Sequence, residues 1–239
     1  MPCDISEMLQ RQFYFFGTYL LEEHILSCWE AHAAGAEVVF DVGANAGVFS
    51  LAALAAQPDV LVHAFEPTPE IAARLLHTAR INGLDRLHVH EVAVAAETGT
   101  AWLHRWRGEL DSNEGMNYIT VTQHSSAESV ATISLDAFCS ERGIERIDLL
   151  KLDIQGQEPL ALAGAQRMLL ERRILMVFAE LTWSPGHDVP SPASQVVELL
   201  HKAGYEFARP EPTLEWRVAG EWMRDLTDIV ARPAAERFP

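Results

Sequence analysis

Two short apolar runs, each stopped by an aspartate and then by glycine, constrain this chain more than anything else in it. They are VVFDVGANAGVFS over Val38–Ser50 and IDLLKLDIQGQE over Ile147–Glu158. Val38, Val39 and Phe40 read as a short buried strand, Asp41-Val42-Gly43-Ala44-Asn45-Ala46-Gly47 as a tight turn, and Val48 to Ala56 as an alanine-rich helix leaving it. The second run ends in the same manner. In an open parallel sheet such strand ends lie side by side and face one ligand.

From Val38 onward strands and helices alternate. The spacing predicts strands over 38–42, 60–65, 87–94, 147–153 and 173–181, with helices over 47–56, 69–81, 157–170 and 191–203. Strands separated by helices of this length imply right-handed crossovers and a parallel sheet. Between about 99 and 145 the alternation pauses: Thr100–Arg107 and Asn117–Gln123 read as strands around the polar stretch GELDSNEGMN, and Ser134–Arg142 as a short helix. This is an insertion ahead of the fourth core strand. Tyr205–Ala208 and Asp228–Ala231 would add an antiparallel pair at the sheet edge. Ile5 to His32 has apolar residues at helical spacing, which makes residues 1–35 a helical extension and residues 36–239 the main domain.

Charge narrows the partners. With 34 acidic against 18 basic side chains, a formal charge of −16, the chain would be repelled by phosphate backbones and anionic lipid. Its three cysteines are odd in number and form no CxxC, which favours free thiols in a reducing compartment. No apolar stretch approaches membrane-spanning length, and no basic segment followed by an apolar run opens the chain. A soluble cytoplasmic protein acting on a small molecule is the expectation.

The first turn selects its ligand. Gly43 and Gly47 let backbone approach closely, while Ala44 and Ala46 keep the space open. Dinucleotide folds put a middle glycine against the pyrophosphate, but Asn45 stands at that position here, which disfavours pyrophosphate. Asp41, just before the turn, suits a ligand carrying an ammonium. S-adenosylmethionine has that group, together with a carboxylate for backbone N–H groups. Glu66 ends the second strand in HAFEP, where a carboxylate accepts ribose hydroxyls. Pro67 directs the chain away, and Ala93 and Val94, at the end of the third predicted strand, could flank adenine.

DVGANAGVFSL, FEPTPE, RINGL, ISLDAF and IDLLKLDIQGQE, in this order from about Val38 to Glu180, resemble the FkbM-type methyltransferases. The resemblance implies the class I fold, Rossmann-like, with a mostly parallel seven-stranded sheet flanked by helices. It also implies S-adenosylmethionine as donor and O-methylation of a sugar, polyketide or other specialised metabolite. Position by position, Asp41, Gly43, Asn45 and Gly47 match the family's cofactor loop, Glu66 its ribose acid and Asp153 its acid after the fourth strand. The sequence departs from the pattern twice: Gln155 stands where many relatives carry Glu, and AVAAETG lacks a Ser-Asp often found there.

Methyl transfer to a hydroxyl needs alignment and a group to take the proton. Asp153, at a strand end near the cofactor, is the first candidate for base, metal ligand or substrate orienter, against the alternative of a helix cap near Gln157. Glu180, ending the next strand in VFAELTW, brings a second carboxylate to the same rim. The two could hold Mg²⁺, although spacing fixes no third ligand and metal dependence is not the favoured reading. His124 and His187 fall in loops that could reach the rim. His88 and His90 read as surface or packing residues. Asn113 and Asn117 could meet a hydroxylated substrate, and Tyr14, Phe15, Phe16 and Tyr19 form either a lid or a packing face. N- or carboxyl-methylation on the same fold, or nucleoside binding without catalysis, are the competing functions.

Overall fold

The computed structural model describes residue 11 and residues 23–105, 117–120, 128–182, 191–211, 213–224 and 226–235. Among these, α1 (Glu23–Ala33) precedes β1 (Val38–Val42), α2 (Val48–Ala56), β2 (Leu61–Phe65), α3 (Pro69–Ile81) and β3 (Leu87–His90). β4 (Ala93–Val94), β5 (Gly99–His104), β6 (Tyr118–Thr120), β7 (Glu128–Ile133) and α4 (Leu135–Arg142) follow. β8 (Leu149–Leu152), α5 (Glu158–Ala163), α6 (Gln166–Leu170), β9 (Val177–Glu180), α7 (Pro192–Lys202), β10 (Tyr205–Ala208) and β11 (Asp228–Pro233) complete the order.

The main sheet has seven strands in the order β10-β11-β9-β8-β1-β2-β3, and its neighbours are parallel except where β11 pairs antiparallel with β9 and β10. The mostly parallel Rossmann-like sheet expected from the alternation is therefore present. Strand order reverses between β1 and β8, the two strands that carry the acid-then-glycine segments. The tail forms its antiparallel pair, with β11 inserted between β9 and the edge strand β10.

Alternate residues along the strands feed separate cores on the two faces, as the period of two requires. Phe40, Phe65, Leu150 and Leu152 pack with Phe138, Leu162, Met168 and Val196. Val39, Val62, Ala64, Leu149 and Phe178 pack with Trp29, Phe49 and Leu75. Each such side chain taken fully out of water contributes about 1.5–3 kcal/mol. Trp29 ties α1 to this second core: its indole N–H donates to Phe49 O at 2.9 Å, and its ring meets Phe178 edge-on at 5.1 Å.

Four elements differ from expectation, and the strand predicted over 173–181 is one: it is regular only over Val177–Glu180, with a single bridge from Ile174 to Ile147 ahead of it. The strand predicted over 87–94 ends at His90, where a tight turn, Val92 N to His90 O at 2.9 Å, sends Ala93 and Val94 into a second sheet of order β4-β7-β5-β6. Ala93 and Val94 are thus not at the end of the third strand; they pair with Thr132 and Ile133, and both are buried. The helix predicted over 157–170 is broken in two. A Cβ on Gly164 would come within 2.1 Å of Ala95 O, and the Asp136 carboxylate accepts Arg167 N and Met168 N to start α6 afresh. The predicted insertion contains a further strand, β7, which joins β4 and β5.

His63 on β2 and His90 on β3 stack at 5.2 Å with Nδ1 and Nε2 3.0 Å apart, and Phe138 meets both rings edge-on. Burial, aided by the neighbouring histidines and Arg142, lowers His63 to about 3 and His90 to about 4. The unfolded chain, with histidine near 6.5, then binds more protons than the folded chain between these values and 6.5. Stability is present above about pH 6.5 and is lost as pH falls toward 4, by about 1 kcal/mol per pH unit after solvent screening. Urea unfolding across this range should show that slope, and His63→Gln with His90→Gln should flatten it. An equal slope in the double variant would acquit the histidines.

Candidate functional site

The turn after β1 is held by backbone bonds to the neighbouring strand. Gly43 N and Ala44 N both donate to Phe65 O, at 3.0 and 3.1 Å. Gly43, Asn45 and Gly47 have φ of 82°, 47° and 85°, the left-handed region that glycine enters without strain and asparagine tolerates. Gly47 N closes the coil on Ala44 O at 2.7 Å. Gly47 then starts α2 with no side-chain cap of its own.

Asp41 supplies that cap from the strand. Its Oδ2 accepts Ser50 N at 2.9 Å and Ser50 Oγ at 2.6 Å, and the residue is 2% exposed. A carboxylate against the first turn of a helix is favoured by the free N–H groups there. The side chain that the sequence offers to a ligand's ammonium is bonded through Oδ2 to Ser50 and braces the turn. Burial raises its proton affinity, while Ser50 and Lys151 lower it.

Glu66 is buried beside the turn. Its Oε2 accepts Asn45 N at 3.0 Å and its Oε1 accepts Thr68 N at 2.8 Å. Burial pushes this carboxyl up, against the downward pull of those bonds. Pro67 is half-buried on the segment leading into α3, and Asn117 Nδ2 lies 3.4 Å from Thr68 Oγ1, so β6 begins close to this acid.

The second strand end abuts the first. Asp153 N donates to Val42 O at 3.1 Å, and a Cβ on Gly43 would lie 2.0 Å from Asp153 O. Asp153 Oδ2 is 3.2 Å from Lys151 Nζ, and Gln155 Nε2 donates to Asp153 Oδ1 at 3.2 Å and to Glu180 Oε2 at 3.3 Å. Gln155 thus links the two expected carboxylates. Burial and the nearby Asp153 push Glu180 up to about 9. The helix-cap alternative for Asp153 is not what is found: α5 has no side-chain cap, and Glu158 Oε1 accepts Ile154 N and Gly156 N.

Lys151, Glu158 and Ser50 were not among the sequence candidates. The signal for Lys151 was present, a lone charge inside the apolar run LLKLD, whose strand is buried on both faces. His124, His187, Asn113 and the aromatic group Tyr14, Phe15, Phe16 and Tyr19 lie outside the described residues. Among the described residues no group of three or more His, Cys, Asp or Glu side chains is arranged to hold a metal ion, and no helix is long and apolar enough to cross a membrane.

The chain matches the Methyltransferase FkbM domain over residues 41–207. It is 30% identical over 175 residues to the 2-O-methyltransferase NoeI of Sinorhizobium fredii, covering 68% of this chain and 70% of that protein. It is 33% identical over 198 residues to the 31-O-demethyl-FK506 methyltransferase FkbM of Streptomyces tacrolimicus, covering 71% and 72%. Among solved structures, an S-adenosylmethionine-dependent O-methyltransferase of Thermotoga maritima aligns with a TM-score of 0.48 at 13% identity, over 97% of this chain and 73% of that one. The span matched by the family runs from Asp41, at the end of β1, into the edge strand β10, and so takes in both acid-ended strands: the chain belongs to the FkbM methyltransferase family and is an S-adenosylmethionine-dependent methyltransferase.

Proposed function

We propose that this enzyme methylates a hydroxyl oxygen of a small molecule, with the Gly43–Gly47 turn and Glu66 holding the donor and Asp153 taking the acceptor's proton. The names of both relatives, a 2-O-methyltransferase and a 31-O-demethyl-FK506 methyltransferase, support oxygen as the methylated atom. The formal charge of −16 supports a small acceptor over nucleic acid. One observation carries the donor assignment: Asn45 N and Glu66 Oε2 are joined at 3.0 Å, while Asn45 Oδ1 is buried with no hydrogen-bond partner among the described residues. A turn that keeps a buried acceptor unpaired suits a ligand bearing N–H donors, such as the ammonium of S-adenosylmethionine.

In this reading Gly43, Ala44 and Gly47 give the methionine end backbone to rest on, and Glu66 accepts the ribose hydroxyls on lone pairs not used by Asn45 and Thr68. Asp41 works from beneath by fixing α2. When bound, S-adenosylmethionine supplies the methyl group: the acceptor oxygen forms the new O–C bond, the C–S bond breaks with its electron pair left on sulfur, and the acceptor's proton goes to a base. Asp153 is that base, at the rim with 28% of its side chain exposed. Metal assistance is not part of this reading, because the Gln155 amide donates to the carboxylate oxygens that a cation would need.

Calorimetry with S-adenosylmethionine and S-adenosylhomocysteine, beside transfer of a labelled methyl to a panel of sugars and polyketide alcohols, tests the proposal. Micromolar nucleoside binding and label on oxygen are expected; no binding of either nucleoside ends it. Glu66→Ala should weaken binding of S-adenosylhomocysteine by about 1–3 kcal/mol, the cost of leaving hydrogen-bonding groups unpaired. Affinity equal to wild type would remove Glu66 from the ribose site.

A further inference from the structure

Four carboxyl groups surround one buried ammonium at the open end of the sheet. Lys151 is 1% exposed on β8, between Asp41 of β1 and Phe178 of β9 in the sheet register, and its Nζ lies over the Phe49 ring at 4.8 Å. Its charge acts on Asp41, on Glu180 of β9 and on Asp228 of β11, while its Nζ is 3.2 Å from Asp153 Oδ2. Glu158 of α5 adds negative charge toward Glu180, and His24 of α1 faces Asp228. One ammonium cannot compensate so many carboxylates in a low-dielectric site, so some of them keep their protons. Asp41 is served by Ser50 and Asp228 by Thr227, which leaves Asp153 and Glu180, joined through Gln155, to divide charge and proton between them.

We propose that Lys151 is a positioning residue for methyl transfer: by pairing with Asp153 it holds the negative charge there and leaves the proton of the pair on Glu180. Asp153 alone then meets the acceptor hydroxyl as a proton acceptor, and Glu180 stays a neutral neighbour that does not compete for the same proton. Gln155 donates one amide hydrogen to each carboxyl, and Glu180 also hydrogen-bonds Asp153 directly, the contact across which the proton is kept on Glu180. The proposal rests on the reading of Asp153 as the base. The raised proton affinity of Glu180, set by burial and by Asp153, agrees with this division.

Infrared difference spectra of the wild type against Glu180→Gln, both with S-adenosylhomocysteine at neutral pH, read the proton directly. The C=O stretch of a protonated carboxyl is expected in the wild type and lost in the variant. The same comparison made on a Lys151→Met background should show the band weakened or displaced, while a Lys151→Arg background retains it. A carboxylate signal in place of the C=O band, or a band that Lys151→Met leaves unmoved, overturns the proposal. If Lys151→Met does not fold, the wild-type and Lys151→Arg comparisons decide. Turnover of Asp153→Asn reports separately: full turnover there would remove the base assignment while leaving the measured position of the proton standing.

Discussion

Gly43→Ala is expected to destabilise the folded enzyme by about 3 kcal/mol or more and to abolish tight donor binding. Two costs combine. Gly43 sits at φ 82°, where an L side chain is strained by about 1–2 kcal/mol. The new Cβ would also lie 2.0 Å from Asp153 O and 3.0 Å from Ile154 Cγ2. The first of these neighbours is backbone, held by Asp153 N to Val42 O, and Gly43 itself is tied to Phe65 O. Neither strand end can yield without breaking a bond that shapes the turn. Gly83→Ala is the control: its φ of 62° is also left-handed, but nothing lies within 4 Å of its Cβ, so only the strain cost of about 1 kcal/mol remains. Urea unfolding and calorimetry with S-adenosylhomocysteine measure both effects. A Gly43→Ala protein as stable as Gly83→Ala, with normal nucleoside affinity, would show that the two strand ends do not touch as described.

What could be read from the sequence follows the range of the forces involved. β1, β2 and α3 lie within a residue of their predicted limits because apolar period, glycine and proline are local signals. The strand over 87–94 and the helix over 157–170 were drawn too long, since their breaks depend on distant partners: the pairing of Ala93 with Thr132, and the approach of Gly164 to Ala95 O. The site divides in the same way. Glu66 and Asp153 were legible as acids ending apolar runs, and both lie beside the turn. The use of Asp41 as a brace was not, because it depends on Ser50 turning back across nine residues of chain. Gln155 was legible as a missing charge but not as a link, since its reach to Glu180 spans 25 residues and needs β8 and β9 side by side.

That link bears on how the proposed base would stay ionised at so acidic a rim. Carboxylates crowded together raise one another's proton affinity, and one without a counterion is the first to take up a proton. The amide of Gln155 adds no charge of its own and donates to both neighbours, and Lys151 gives one of them a counterion. A buried ammonium is itself unfavourable without carboxylates near it, and Asp153 is one of those that Lys151 has.

Asp153→Asn is accordingly the sharpest chemical test. The substitution keeps the shape, removes the charge and turns one of the two oxygens that accept from Lys151 and Gln155 into a donor, and a positioned general base contributes about 100- to 10,000-fold to such a step. With the acceptor found by the label-transfer screen, kcat should fall by that order while affinity for S-adenosylhomocysteine changes little, because the carboxylate is assigned to the acceptor's proton and the donor turn is held by backbone. Glu180→Gln should lower kcat far less, since under the proposed division a neutral amide replaces a neutral carboxyl. The two variants must differ. Equal losses would mean that the pair acts as one unit with no preferred base, and an unaffected rate in Asp153→Asn would return this acid to a structural role as the counterion of Lys151.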